Sequence, residues 1–225
     1  MTPGVRAGLA AVACALVSVG GCTVGDGWGL VEGCIHMPGC RLDPGGDPPA
    51  TCGEDDRDFR FEPDFFGAEA YEDGSLDIVV RSSGTRTGPV DGFSISIPDR
   101  VWAAGRLAAD PDAVLDSERV PVLPVDELEG VPVAERIKVS SYWYASCPDT
   151  VVAFNEGVGT IWFHSMYQSR DLGDPRDEAI VHLGFDLEFV DPWPEETPGP
   201  DSPRLLVTGE IRFRVERGAP AQSFP

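Results

Sequence analysis

Two segments near the C-terminus largely alternate between apolar and polar residues, and this pattern constrains the fold more than any other feature of the chain. They are VHLGFDLEF (181–189) and LLVTGEIRFRV (205–215). Successive side chains of a β-strand point to opposite faces, so each segment is predicted to be a strand with one face packed and one face in water. We expect the two strands to pair antiparallel, with their odd-numbered residues turned to the core.

The rest of residues 59–225 consists of short apolar or alternating runs separated by turn residues, which is typical of an antiparallel sheet. Four prolines between 110 and 133 limit any helix there to a turn or two. Asn155-Glu156-Gly157 separates two further apolar runs, which predicts a hairpin. The fold class is therefore mainly β: an antiparallel β-sandwich or a partly closed barrel. The first clear strands are predicted at 75–83 and 92–97. Residues 135–147 are long enough for a helix, but their β-branched and aromatic residues favour a strand.

The N-terminus carries one cation, Arg6, followed by an uncharged run from Leu9 to Gly21. This is the layout of a secretory signal peptide, and the run is too short to span a bilayer as a helix. The residues Val19-Gly20-Gly21 before Cys22 resemble the lipobox of bacterial lipoproteins. The resemblance implies cleavage after residue 21, lipid on Cys22 and attachment to the membrane of the cell envelope. Because Thr23 rather than an aspartate follows Cys22, it implies the outer membrane.

Residues 22–58 are rich in glycine and proline and are expected to form a tether and a loop-rich leader stapled by disulfides. If Cys14 leaves with the signal and Cys22 is lipidated, an even set of cysteines is left to pair in an oxidising compartment. Its members are Cys34, Cys40, Cys52 and Cys147. We expect Cys34 to pair with Cys40, since a Pro-Gly turn lies between them, and Cys52 with Cys147. The alternative in which Cys34 pairs with Cys52 and Cys40 with Cys147 stays open.

The formal net charge of −21 argues against nucleic acid as a partner, because binding a phosphate backbone requires clustered cations. The chain contains no GxGxxG, GxxxxGK[ST], HExxH or GxSxG motif, so we predict no catalytic residues and no cofactor. Cys34, His36, Cys40 and Cys52 are residue types that zinc accepts, but they lack a CxxC pair and are assigned to disulfides. The acidic runs lack the order of a calcium loop. The sequence therefore predicts no metal site.

His164 and His182 both lie in predicted strands, and each is interpreted as a partly exposed strand histidine. Trp143 and Trp162 also lie in predicted strands and are expected in the core. Trp193 stands between two prolines in an acidic segment and is the candidate contact for a partner.

These observations predict a lipid-anchored, non-catalytic binding or scaffolding protein of the bacterial envelope. Its partner would be an envelope protein or a glycan. The first alternative is a lipoprotein that binds a sugar, a peptide or a cation. A carboxylate-based envelope hydrolase ranks last.

Overall fold

The computed structural model of the chain describes residues 23–36, 57–82, 90–107, 118–144, 153–166, 180–190 and 203–215. Most of these residues lie in β-strands, as the sequence predicts. The strands are β1 (Thr23–His36), β2 (Arg57–Phe61), β3 (Phe65–Ala70), β4 (Leu76–Arg81), β5 (Asp91–Ile97), β6 (Arg119–Val122), β7 (Lys138–Trp143), β8 (Ala153–Phe154), β9 (Gly157–Ser165), β10 (Ile180–Val190) and β11 (Arg204–Val215).

The helices in the described ranges are short. The segment with four prolines is expected to form at most a turn or two of helix, and the helices in its described part are 3₁₀ turns. Helix α1 spans Arg100–Ala104, and two 3₁₀ turns span Val125–Glu127 and Val133–Glu135. None of these helices is long and apolar enough to cross a membrane.

All pairings among the described strands are antiparallel, and they build one sheet in the order β6-β9-β10-β11-β1-β3-β4-β5-β7-β8, with β2 beside β1. The sheet curves into a half-barrel. Phe93 on β5 meets Phe185 on β10 with ring centroids 4.8 Å apart, although these strands are far apart in the sheet order. The curved sheet thus encloses one core, and the partly closed barrel is the predicted architecture that the structure supports.

Strands β10 and β11 pair antiparallel, as predicted, and their odd-numbered residues line the core. Each apolar side chain in these positions is at most 4% exposed. They are Val181, Leu183, Phe185, Leu187, Phe189, Leu205, Val207, Ile211, Phe213 and Val215.

The predicted hairpin at residues 155–157 is not formed. Strand β8 pairs with β7, whereas β9 pairs with β10 and β6, so the two strands lie toward opposite ends of the sheet. Gly157 belongs to β9 and lies against Phe189, whose ring would be 2.6 Å from an added Cβ. Contact with that ring, rather than freedom to turn, accounts for this glycine.

The predicted tether and loop-rich leader are wrong for Thr23–His36, which form a strand inside the sheet. Strand β1 pairs with β11 along twelve residues and also with β2 and β3. From position 29 to position 35 its odd-numbered residues are buried, and they include Gly29 and Gly33. A Cβ on Gly33 would come 1.9 Å from the carbonyl oxygen of Leu206, so close packing against β11 requires glycine there. Glycine in this segment permits packing instead of preventing it.

Cys34 is 2% exposed on β1 and is disulfide-bonded. The other cysteines, including Cys40, Cys52 and Cys147, lie outside the described residues, and so does the partner of this bond. The described end of this bond thus lies in a strand of the sheet, and a disulfide-stapled, loop-rich leader is not supported. The predicted pairing of Cys34 with Cys40 stays a prediction.

Candidate metal centre on the outer face of the sheet

The even-numbered side chains of β1, β10 and β11 point away from the core and form the outer face of these strands. Residues paired across the strands stand in rows on this face. One row consists of His182, Arg212 and Trp28, and the next consists of Gly184, Glu210 and Leu30. The candidate site lies where these two rows meet β9.

His182 and Glu210 are diagonal neighbours on β10 and β11. The imidazole Nε2 of His182 donates to a carboxylate oxygen of Glu210 at 2.6 Å. The side chains are 18% and 39% exposed, so the pair lies partly sheltered from water. The sequence prediction of a partly exposed histidine holds for His182.

His164 joins this pair because strand β9 contains an irregularity. Ser165 is the register partner of His182 and Phe163 that of Leu183, so His164 is an extra residue at a β-bulge. The ring centroids of His164 and His182 are 4.5 Å apart. His164 is 3% exposed, so the prediction of a partly exposed histidine is wrong for this residue. A bulge redirects a side chain, and here it places an imidazole beside His182.

Trp162 forms one wall of the site. Its ring lies over Gly184, where an added Cβ would come 2.3 Å from the indole. The guanidinium of Arg119 stacks on the indole of Trp162, with its carbon 4.5 Å from the ring centroid. Trp162 is therefore a half-buried residue of the outer face and not the core residue that the sequence predicts, whereas Trp143, at 1% exposure, is in the core as expected.

The ligand atoms of His164, His182 and Glu210 all lie within 4.8 Å of one another. Two imidazole nitrogens and one carboxylate oxygen are a ligand set that zinc and other divalent transition metals accept. Small side-chain rotations would bring three atoms at this spacing to coordination distance around one ion. Within the described part of the chain, this is the single group of three or more such residues close enough to hold a metal ion.

The electrostatics of the cluster favour an uncharged His164. Burial is the main cause that lowers the pKa of His164 below its ordinary value, and the neighbouring His182 lowers it further. Glu210 acts in the opposite direction. A neutral imidazole has a lone pair to offer a metal, so His164 is prepared for coordination near neutral pH.

Several residues that the sequence predicts to be functional lie outside the part of the chain that the structure describes. Cys22, Cys40, Cys52, Cys147 and Trp193 lie outside the described residues. Of the described candidates, Cys34 and His36 lie in β1 and do not belong to the cluster.

The cluster was not predicted from the sequence, although the sequence contains part of its signal. His182 and Glu210 both occupy polar positions of two strands predicted to pair. Their register would have shown them as diagonal neighbours, but alternation alone does not fix the register. The bulge that adds His164 has no signature in the sequence.

No family model matches the chain, and no curated protein or solved structure is significantly similar to it.

Proposed function

We propose that the protein is an exported, lipid-anchored protein of the bacterial envelope that binds a divalent transition-metal cation without catalysing a reaction. The observation that carries the proposal is the convergence of His164, His182 and Glu210 within 4.8 Å. Of the ligands that the sequence suggests, namely a sugar, a peptide or a cation, a cation fits this geometry best.

Two physical features favour capture of a cation at this position. The chain has a formal net charge of −21, and such a field raises the local concentration of cations and speeds their association. The hydrogen bond between His182 and Glu210 also holds two ligands in place before the ion arrives.

The proposal for the membrane anchor is supported by the Val19-Gly20-Gly21-Cys22 sequence. Strand β1 begins at Thr23, directly after the proposed lipid-bearing residue. An anchor at Cys22 would therefore hold this end of β1 close to the bilayer surface, without an intervening tether.

Zinc binding by the full chain tests the metal proposal. The protein is stripped with a chelator and titrated with zinc chloride in a calorimeter, and we expect one ion per chain. Removing one of three ligands in His182→Ala or Glu210→Gln should weaken zinc binding at least tenfold. His36→Ala removes a histidine outside the cluster and should bind like wild type. Absence of zinc binding in wild type, or equal affinity in the cluster variants, would overturn the proposal.

The anchor has its own test. Producing cells are labelled with an acyl-chain analogue, and wild type is compared with Cys22→Ser. We expect label in wild type only and recovery of the labelled protein in the outer-membrane fraction. Equal labelling of both proteins would contradict lipidation at Cys22 while leaving the metal proposal intact.

A further inference from the structure

A pocket of about 180 Å³ lies on the outer face beside the metal cluster. Its charged lining side chains are Arg212, Arg214 and Asp26, and the indole of Trp28 forms an aromatic wall. These four residues occupy even positions of β11 and β1, so their side chains share the outer face with His182 and Glu210.

The lining has the chemistry of an anion site with an organic component. The charged residues of the lining are two arginines and one aspartate, which sum to a local positive charge on a chain whose net charge is −21. Guanidinium groups pair with carboxylates through two parallel hydrogen bonds. Trp28 is 49% exposed, although large aromatic side chains are usually more buried. An exposed indole beside arginines offers a flat apolar surface to a small ligand.

The size of the pocket limits the ligand. Sites for drug-sized molecules enclose roughly 300–1,000 Å³. A space of about 180 Å³ suits a small organic acid whose body is a few carbon atoms or one ring.

The pocket and the metal cluster share one row of residues. Arg212 is the register partner of both His182 and Trp28, and the rings of Trp28 and His182 are 6.1 Å apart. A ligand held by Arg212 and Trp28 would thus lie next to His182, one of the three proposed metal ligands. A cation bound by His182 and its neighbours would attract an anion held in this pocket.

We infer that this pocket binds a small organic carboxylate, whose acid group is held by Arg212 and Arg214 close to the metal site, while its apolar body lies against Trp28. The inference rests on the proposed metal binding and names the second ligand of that site. Metal and carboxylate then strengthen each other's binding by the same factor, because coupling between two ligands is reciprocal.

Benzoate is a suitable probe, because it joins one carboxylate to one flat ring. The full chain is titrated with benzoate in a calorimeter, once saturated with zinc and once with a chelator present. We expect zinc to tighten benzoate binding at least tenfold. Inorganic phosphate, which lacks an apolar body, should bind at least tenfold more weakly than benzoate to the zinc-saturated protein.

Variants separate the two halves of the site. Arg212→Gln and Trp28→Ala should each weaken benzoate at least tenfold and leave zinc affinity without benzoate within twofold of wild type. Arg60→Gln, an exposed arginine that does not line the pocket, should change neither. Circular dichroism melts of each variant show that it is folded, and Arg214→Gln replaces any variant that is not.

The possible failures are distinguishable. If zinc binds but benzoate does not, or benzoate affinity is unchanged by zinc or by Arg212→Gln, the inference is overturned and metal binding stands. Phosphate binding as tight as that of benzoate contradicts the organic part of the inference. If zinc itself does not bind, the proposed function fails, and the coupled site fails with it.

Discussion

The outer face of the sheet differs between its two halves, although the inner faces are alike. Across β9, β10, β11 and β1 the outer face brings together imidazoles, carboxylates, indoles and guanidiniums. Across β4, β5 and β7 it carries mainly hydroxyls and dispersed charges, and the side chains of Ser94 and Ser140 lie 2.7 Å apart. Beneath both halves the core consists of fully buried aliphatic and aromatic residues such as Ile95 and Leu183.

The alternation of buried and exposed residues therefore predicts the fold of both halves, but it does not locate the metal site. Strands of both halves alternate equally well, so the hydrophobic effect explains the two inner faces in the same way. What distinguishes the site is which polar residues become neighbours across strands. That property depends on register and on one bulge.

The largest expected effect comes from placing a charge on the inner face. Leu187 is 3% exposed, and Leu187→Asp would bury an unpaired carboxylate at a cost of several kcal/mol, comparable to the stability of a whole domain. We expect loss of the cooperative thermal transition in circular dichroism. Glu188→Ala, one residue along on the outer face, should melt within a few degrees of wild type. If both variants melt alike, the assignment of faces on β10 is wrong.

The second effect tests the glycines of β1. Gly33→Ala places a methyl group against backbone of β11 and should destabilise the protein by about 1–3 kcal/mol, as overpacking does. In the matched variant Gly67→Ala, the nearest atom to the new Cβ is a ring carbon of Phe65 at 3.2 Å, and a side chain can move. Urea denaturation should therefore show a smaller loss for Gly67→Ala. Equal losses would contradict close packing as the reason for glycine at position 33.

The sequence predicts strands β10 and β11 correctly but predicts a loop where β1 lies, and the glycines of β1 explain the difference. The fold class and the pairing and faces of β10 and β11 followed from alternation, because their inner residues are large and apolar. In β1 the same period of two is present, but glycine occupies inner positions where a neighbouring strand supplies the bulk. Composition then favours a loop over a strand. The metal cluster was not predicted for another reason: His164 reaches it through a bulge, and alternation in the sequence does not show that β9 lies beside β10.

The third effect is a pair of opposite pH responses in the metal-free protein. Burial lowers the pKa of His164, so below about pH 6.5 the unfolded chain binds a proton that the folded protein does not. Stability should therefore fall as the pH drops below that value. Burial also raises the pKa of Tyr142 to about 12, so stability should fall as the pH rises above about 10, where the unfolded chain loses its proton first.

Urea denaturation at a series of pH values, with a chelator present, measures the loss of stability at low pH and at high pH. His164→Asn should reduce the loss of stability at low pH and leave the loss at high pH unchanged. Tyr142→Phe should do the reverse, but part of the loss at high pH should remain, because burial also raises the pKa of Tyr71. A pKa of about 12 against an ordinary 10 corresponds to at most about 2.7 kcal/mol, and since Tyr142 is half-buried we expect about 1–2 kcal/mol. If wild type and His164→Asn lose the same stability at low pH, the buried, neutral state of this histidine is contradicted.

The smallest expected effect is the loss of an exposed arginine from the outer face. Arg212→Ala should change the free energy of unfolding by less than about 0.5 kcal/mol, because exposed cross-strand contacts contribute little. Arg60→Ala, which breaks an exposed ion pair with Glu32, should cost equally little. Chemical denaturation of both variants measures this, and a loss above about 1 kcal/mol for Arg212→Ala would mean that the residue packs as part of the structure. A near-zero result has a direct consequence for the pocket: any benzoate affinity lost on substituting Arg212 then reflects a missing contact with the ligand, since the fold that presents the pocket is intact.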